Sequence, residues 1–237
     1  MPAALHQVLL AGAWGGLLAL ERRAFLQAMF SRPLVAATVM GLIFDDLPAG
    51  LHVGMLLELF HLGSANLGAA LPEHDTLAAT GTSAAAACMA HGSGAGSTPA
   101  IWSLSILLFI GLGHFGRMLD RSLEGYSTRL SQRALAFAEQ GELHRAVRQN
   151  LWGMWPHFLL FAVATSACAL LGALLSPVVE GLPLRALRGL AWAYPAMASV
   201  AAAIAARGSH AKRASLFAGA AAVAVTVFTV VFTWVRA

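Results

Sequence analysis

Charged residues are scarce in this chain. Only 11% of its 237 residues are Asp, Glu, Lys or Arg, whereas 58% are hydrophobic, and the mean hydropathy is +0.70. Soluble domains average about 25% charged residues. The scarcity excludes an ordinary soluble protein, because the surplus apolar area must face lipid or other apolar chains. The sequence therefore predicts an integral membrane protein.

Cysteine is nearly absent, and so are the motifs of common catalytic and cofactor sites. Cys88 and Cys168 lie in separate Ala-rich apolar runs without metal or redox spacing, so we expect both to be small buried side chains. The sequence contains no Rossmann or P-loop phosphate-binding loop, no HExxH pattern and no Ser/His/Asp signature. We therefore expect neither a bound cofactor nor a catalytic residue.

The chain also lacks a concentrated basic face. Its net charge is +4, and nearly all of its basic residues are arginines that stand between apolar segments. This distribution is typical of loops that flank a membrane and does not favour nucleic-acid binding. The first apolar run, 3–20, has no positive residue before it, unlike a cleavable signal peptide, and is expected to be retained.

What the chain does have is a series of apolar stretches of unequal length. A membrane-spanning helix needs about 20 residues, and the stretches around 99–116, 151–179 and 214–235 are predicted as spans. The apolar pieces within 33–90 are shorter and are broken by Gly, Pro and acidic residues. Such pieces favour re-entrant hairpins and interrupted helices, from which carriers build substrate sites. We therefore predict an all-helical membrane domain over 1–237, with its functional core in 33–90.

The segment 117–150 differs from its surroundings. It contains six arginines and four acids, with apolar residues at helical spacing, and predicts one or two amphipathic helices in water or at the interface. Its positive charge places it in the cytoplasm by the positive-inside rule. It either packs against the membrane domain or contacts a soluble partner.

Lysine and arginine are missing altogether from Pro33 to Gly116. Five acids lie in this window: Asp45, Asp46, Glu58, Glu73 and Asp75. A carboxylate at the bilayer centre costs about 2.5–3.5 kcal/mol on insertion scales, so it must be neutralised, hydrogen-bonded or hydrated. A polar cavity for a hydroxyl-rich ligand would satisfy these carboxylates.

A sugar site is the favoured interpretation of this window, because carboxylates accept hydrogen bonds from hydroxyl groups and an Asn amide both donates and accepts. The predicted sugar-binding residues are Glu58, Asn66, His61, Asp75 and Asp45.

Each of these residues also has a structural alternative. Glu58 could cap a backbone break or pair with an arginine, and His61 could bond to Glu58 from one turn away. Asp75 could cap the next helix. Asp45 could lie in a polar surface turn.

The four histidines near these acids (His52, His61, His74 and His91) leave a divalent-cation carrier as a further alternative. None of their spacings matches a compact metal motif.

The run RPLVAATVMGLIFDDLPAGLHVGMLLELFHLGSANLGAALPEHDTLA, residues 32–78, resembles subunit IIC of the mannose/fructose/sorbose family of bacterial phosphotransferase (PTS) sugar permeases. The similarity rests on the Arg-Pro-Leu start at Arg32, the acid near Asp45, the Leu-Glu pair ending at Glu58, and the Asn-Leu-Gly-Ala-Ala run from Asn66. Beyond this region only the pattern is similar. The doublet Asp45-Asp46 and His61 depart from the pattern, which leaves the identity of the sugar open.

This resemblance implies a sugar permease subunit of the bacterial cytoplasmic membrane that works with a second membrane subunit, IID, in an oligomer. It also implies membrane-spanning helices with re-entrant hairpins and a core that moves against a scaffold. Separate cytoplasmic IIA and IIB proteins would phosphorylate the sugar, so no phosphohistidine is expected in this chain. A family member that has lost transport and acts as a membrane scaffold or regulator is the alternative.

Overall fold

The computed structural model of the protein describes residues 5–23, 26–62, 72–208 and 219. Within these ranges all regular structure is helical, and no strand occurs. The helices are α1 (Leu5–Arg23), α2 (Pro33–Ile43), α3 (Leu47–Leu62), α4 (Asp75–Gly92), α5 (Pro99–Phe109), α6 (Leu112–Glu139), α7 (Leu143–Trp152), α8 (Met154–Glu180) and α9 (Leu184–Gly208). The predicted all-α membrane fold is confirmed.

Helices α2 and α3 form a tight hairpin. Pro33 begins α2, where its missing N–H costs nothing. The turn after α2 places Asp45 at φ 55°, and the Asp46 carboxylate accepts a hydrogen bond from Ala49 N at 3.1 Å as α3 begins. At 11 and 16 residues the helices are about 16 and 24 Å long, short of the roughly 30 Å hydrocarbon core. The pair has the dimensions of a re-entrant hairpin.

Glycines allow the two helices of this hairpin to approach closely. A Cβ built on Gly50 would lie 2.4 Å from Ala37 O and 2.8 Å from Gly41 Cα. Only a residue without a side chain fits such an approach between two backbones. The Gly-containing sequence of 33–54 therefore fixes the distance between α2 and α3.

Helix α4 is the centre of the fold. All of its residues from Thr76 to Ala90 are buried, and most are Ala, Ser, Thr or Gly. These small side chains let α1, α2 and α8 pack around it. The contact with α8 is closest at Gly172, where a Cβ would lie 2.4 Å from Ala85 O.

Two of the predicted spans lie in long apolar helical stretches. Residues Pro99–Glu139, with a break between α5 and α6, and Leu143–Glu180 are long and apolar enough to cross a membrane. Large apolar side chains project outwards along α8, with Leu159, Val163 and Leu174 all more than half exposed. The third predicted span, 214–235, falls outside the described residues.

The segment 117–150 forms the exposed part of α6 and the short helix α7. A turn containing Gly141, at φ 78°, separates them. Both helices are amphipathic, and α7 contains no buried residue. The sequence predicts one or two amphipathic helices here, and the structure has two; their placement in water or at the membrane interface stays a prediction.

Candidate functional site

The end of α3 and the starts of α4 and α6 meet at one end of the molecule. His74 N donates a hydrogen bond to Gly113 O at 2.9 Å. A Cβ on Gly113 would lie 3.5 Å from Glu73 Oε2 and 3.7 Å from His61 Nε2, so both polar groups lie beside this glycine. We call this region the acid-rich end; it comprises Glu58, His61, Glu73, His74 and Asp75.

Glu58 belongs to the last turns of α3 and is bound to the start of α2. Its Oε1 lies 3.2 Å from Arg32 Nε, and its Oε2 accepts a hydrogen bond from Leu34 N at 3.3 Å. The carboxylate therefore both pairs with a cation and satisfies an amide at the N-terminus of α2. These are the contacts of the structural alternative for Glu58. Its side chain is 14% exposed, so part of it stays accessible.

Asp75 begins α4 and forms an ion pair with Arg22 at the C-terminus of α1. Arg22 also donates a hydrogen bond to Glu73 O at 2.8 Å, which ties α1 to the segment before α4. The alternative that Asp75 caps this helix is wrong, because the cap is His74, whose Nδ1 accepts a hydrogen bond from Leu77 N at 3.0 Å. Asp75 instead accepts from the next amide, Thr76 N, at 2.8 Å.

His74 is buried in this arrangement and stacks on Phe161, with ring centroids 4.2 Å apart. Burial lowers the pKa of His74 well below its ordinary value, and the positive charges of Arg22 and Arg23 lower it further. The ring is therefore neutral, which suits an Nδ1 that accepts from a helix amide.

The remaining predicted site residues are distributed as follows. His61 Nδ1 lies 2.8 Å from Leu57 O within its own helix. Asn66 falls outside the described residues, but the chain that carries it connects α3 to the segment before α4.

Asp45 lies at the opposite end of the α2–α3 hairpin from Glu58 and accepts a hydrogen bond from Gln7 Nε2 at 3.4 Å in an exposed setting. The structure thus places Glu58, His61 and Asp75 at the same end of the molecule, and Asp45 at the other end of the α2–α3 hairpin.

Sequence reasoning allowed that Glu58 pairs with an arginine but did not identify which one, and it did not foresee the ion pair of Asp75 with Arg22. Arg32 stands one residue before the window that lacks lysine and arginine, and Arg22 lies on the preceding helix. The Glu-Arg-Arg end of the first apolar run was a usable signal, because two arginines at a helix C-terminus mark a membrane boundary where acids can find partners.

The described residues include no group of three or more His, Cys, Asp or Glu side chains placed to hold a metal ion. The acid-rich end instead offers the carboxylates of Glu58 and Asp75, each paired with a guanidinium group, together with the imidazoles of His61 and His74. Such a set can exchange hydrogen bonds with hydroxyl groups.

Comparison with known proteins gives one family and a shared fold. The family described as PTS system sorbose-specific IIC component matches residues 5–236. A structure described as a membrane protein is 20% identical, with a TM-score of 0.69, and the match covers 98% of this chain and 95% of that one. A chain in a cryo-EM structure of the mannose transporter ManYZ with microcin E492 (MceA) is 21% identical, with a TM-score of 0.60 and coverage of 100% and 97%. No curated protein sequence matches significantly.

Proposed function

The chain belongs to the PTS sorbose-specific IIC component family, and from this premise we propose that it binds a sugar and moves it across the bacterial cytoplasmic membrane. The observation that carries the proposal is the family match over almost the whole chain, 5–236. The shared fold with a chain of the mannose transporter structure supports it. In this proposal the chain crosses the membrane several times.

We place the sugar at the acid-rich end. Glu58 is the preferred ligand, because one carboxylate can keep its bond to Arg32 and still accept from a sugar hydroxyl with its free lone pairs. Asn66 supplies an amide, and His61 and Asp75 complete the set. Asp45, at the other end of the hairpin, would act at a different stage of passage.

Transport in this proposal depends on partners. A IID subunit joins the chain in an oligomeric membrane complex, and soluble IIA and IIB proteins phosphorylate the sugar as it arrives. Phosphorylation traps the sugar because the product is charged and cannot re-enter an apolar membrane. No residue of this chain is phosphorylated.

The test is uptake by proteoliposomes that contain the chain and its IID partner, with IIA, IIB and a phosphoryl donor enclosed. We expect sugar phosphate to accumulate inside, and Glu58→Gln and Asn66→Ala to reduce uptake by at least tenfold. Glu180→Gln, an exposed acid at the end of α8, is the matched control and should leave uptake unchanged.

Two results would contradict the proposal. If no sugar phosphate accumulates with all four proteins present, the chain is a non-transporting scaffold of the same family. If uptake is normal in both Glu58→Gln and Asn66→Ala, the chain transports sugar but binds it elsewhere.

A further inference from the structure

A cavity with polar side chains lies where α1, α6, α7 and α8 meet, and it shares no residue with the acid-rich end. Its volume is about 220 Å³. Six polar side chains line it, supplied by all four helices: Arg23, Ser127, Ser131, Gln149, Asn150 and His157. Ser131 and Asn150 are exposed, whereas His157 is buried. The cavity therefore opens between α6 and α7 and reaches inwards to α8.

The buried end of this cavity contains a hydrogen-bond acceptor that lacks a partner. His157 is 8% exposed, and its Nδ1 lies 3.3 Å from Gly153 O. Because a carbonyl oxygen only accepts, Nδ1 carries the proton, and Nε2 of the neutral ring is an acceptor. That Nε2 is buried without a hydrogen-bond partner among the described residues.

Asp120 does not line the cavity but pairs with one of its lining residues. Its Oδ2 pairs with Arg23 at 2.9 Å, while its buried Oδ1 has no hydrogen-bond partner within the described part of the chain. A buried polar atom without a partner is unfavourable, so the unpartnered Nε2 of the lining residue His157 requires an explanation. A ligand or water that donates hydrogen bonds would supply it.

The same set of groups limits what the ligand can be. An anion would face the unpartnered Nε2 of His157 and an arginine whose charge Asp120 already balances. A cation would face the guanidinium of Arg23. The lining serines and amides both donate and accept, so a neutral molecule with several hydroxyl groups matches the polar side chains of the lining, and its ring carbons can contact the apolar ones.

The size of the cavity agrees with this chemistry. A cavity of about 150 Å³ holds a benzene ring, so 220 Å³ accommodates a six-membered ring with hydroxyl substituents. We propose that this cavity is a binding site for a neutral polyhydroxylated molecule of monosaccharide size, with His157 accepting a hydrogen bond from it and Arg23, Ser127, Ser131, Gln149 and Asn150 lining the rest. The site is separate from the sugar-binding residues assigned above, and its occupancy does not require transport.

Protection of an introduced cysteine tests this site directly. Ser131→Cys places a thiol at the mouth of the cavity. The native Cys88 and Cys168 are only 2% and 4% exposed, so a thiol reagent alkylates the introduced cysteine in preference to them. With the purified full chain in lipid nanodiscs, we expect saturating D-mannose, L-sorbose or myo-inositol to slow alkylation of Ser131→Cys by N-ethylmaleimide at least threefold. Ser122→Cys, at an exposed position of α6 outside the cavity, is the matched control and should not respond.

Further variants identify the groups involved. His157→Leu removes the buried acceptor and should abolish protection at Ser131→Cys, whereas His157→Gln keeps an acceptor and should retain it. Protection should also persist in a Glu58→Gln background, even where that substitution stops transport.

Three outcomes would overturn the proposal. They are an alkylation rate that none of the three polyols changes, protection by inorganic phosphate or choline in place of the polyols, and loss of protection in Glu58→Gln. The last would mean that the cavity only reports on the acid-rich end. Failure of sugar uptake alone would contradict the proposed transport function but would not contradict the proposal of this binding site.

Discussion

Arg32 Nε lies 3.2 Å from Glu58 Oε1, and this ion pair closes the open end of the α2–α3 hairpin. Arg32 is half exposed, whereas the Glu58 side chain is 14% exposed. Exposed ion pairs contribute only about 0.2–1 kcal/mol, so the pair alone does not explain a carboxylate in so apolar a helix. The additional bond from Leu34 N and a sugar hydroxyl would together use the acceptor capacity of Glu58.

The first prediction separates these two uses of Glu58. If the carboxylate contacts sugar, Glu58→Gln should weaken sugar affinity at least tenfold, while Arg32→Gln, which breaks the same ion pair, should weaken it no more than threefold. Equal losses in the two variants would show that Glu58 acts only through the hairpin. Equilibrium binding to the purified complex with IID measures both, with thermal unfolding as the check on folding.

The second prediction concerns the link between α1 and α4. Arg22 is 19% exposed and bonds to both Asp75 and the Glu73 carbonyl. Arg22→Gln should lower stability by about 1.5–3 kcal/mol, the range for hydrogen bonds to charged groups. Arg129→Gln, on the exposed face of α6, should change stability by less than about 0.5 kcal/mol. Thermal unfolding of the two proteins in one detergent gives the comparison, and similar melting temperatures would refute the role of Arg22.

The helical architecture follows from features that a sequence shows directly. Stretches that cannot be solvated must be helical in lipid, and the pieces Pro33–Ile43 and Leu47–Leu62 are too short to cross it. The prediction of re-entrant hairpins and interrupted helices within 33–90 therefore needed only composition and length.

The contacts within the site depend on tertiary packing, and no local sequence pattern reveals which residues that packing brings together. Arg22 reaches Asp75 across 53 positions of sequence, and only the packing of α1 on α4 brings them together. His74 replaces Asp75 as the helix cap because its ring is held between α4 and Phe161, a constraint that outweighs the usual preference for Asp. Propensity therefore located the start of α4 but named the wrong capping residue.

The third prediction tests how strictly the hairpin depends on its glycines. Gly50→Ala would place a methyl group 2.4 Å from Ala37 O, against backbone that cannot move aside easily. Overpacking of this kind costs about 1–3 kcal/mol, so both stability and sugar binding should fall. Gly189→Ala is the control. Apart from the neighbouring residues and backbone of its own helix, no atom lies within 4 Å of the added carbon, and Ala stabilises a helix relative to Gly by up to about 1 kcal/mol. A Gly50→Ala protein as stable as the Gly189→Ala protein would show that the hairpin spacing adjusts freely.

The fourth prediction is a pH dependence of stability that originates at His74, in the non-helical segment before α4. Its folded pKa lies well below 6.5 because burial, and then the charges of Arg22 and Arg23, disfavour the protonated ring. The unfolded chain binds a proton at the ordinary His pKa of 6.5, whereas His74 in the folded chain does not. The stability gained by burying the neutral ring is therefore complete above pH 6.5 and is lost as pH falls towards the folded pKa.

His74→Gln keeps an oxygen that can accept from Leu77 N but does not titrate, so it should flatten the decline in melting temperature below pH 6.5. His144→Gln, at an exposed position of α7, should leave the wild-type slope intact. Identical slopes for wild type and His74→Gln would place the origin of any acid sensitivity at another group.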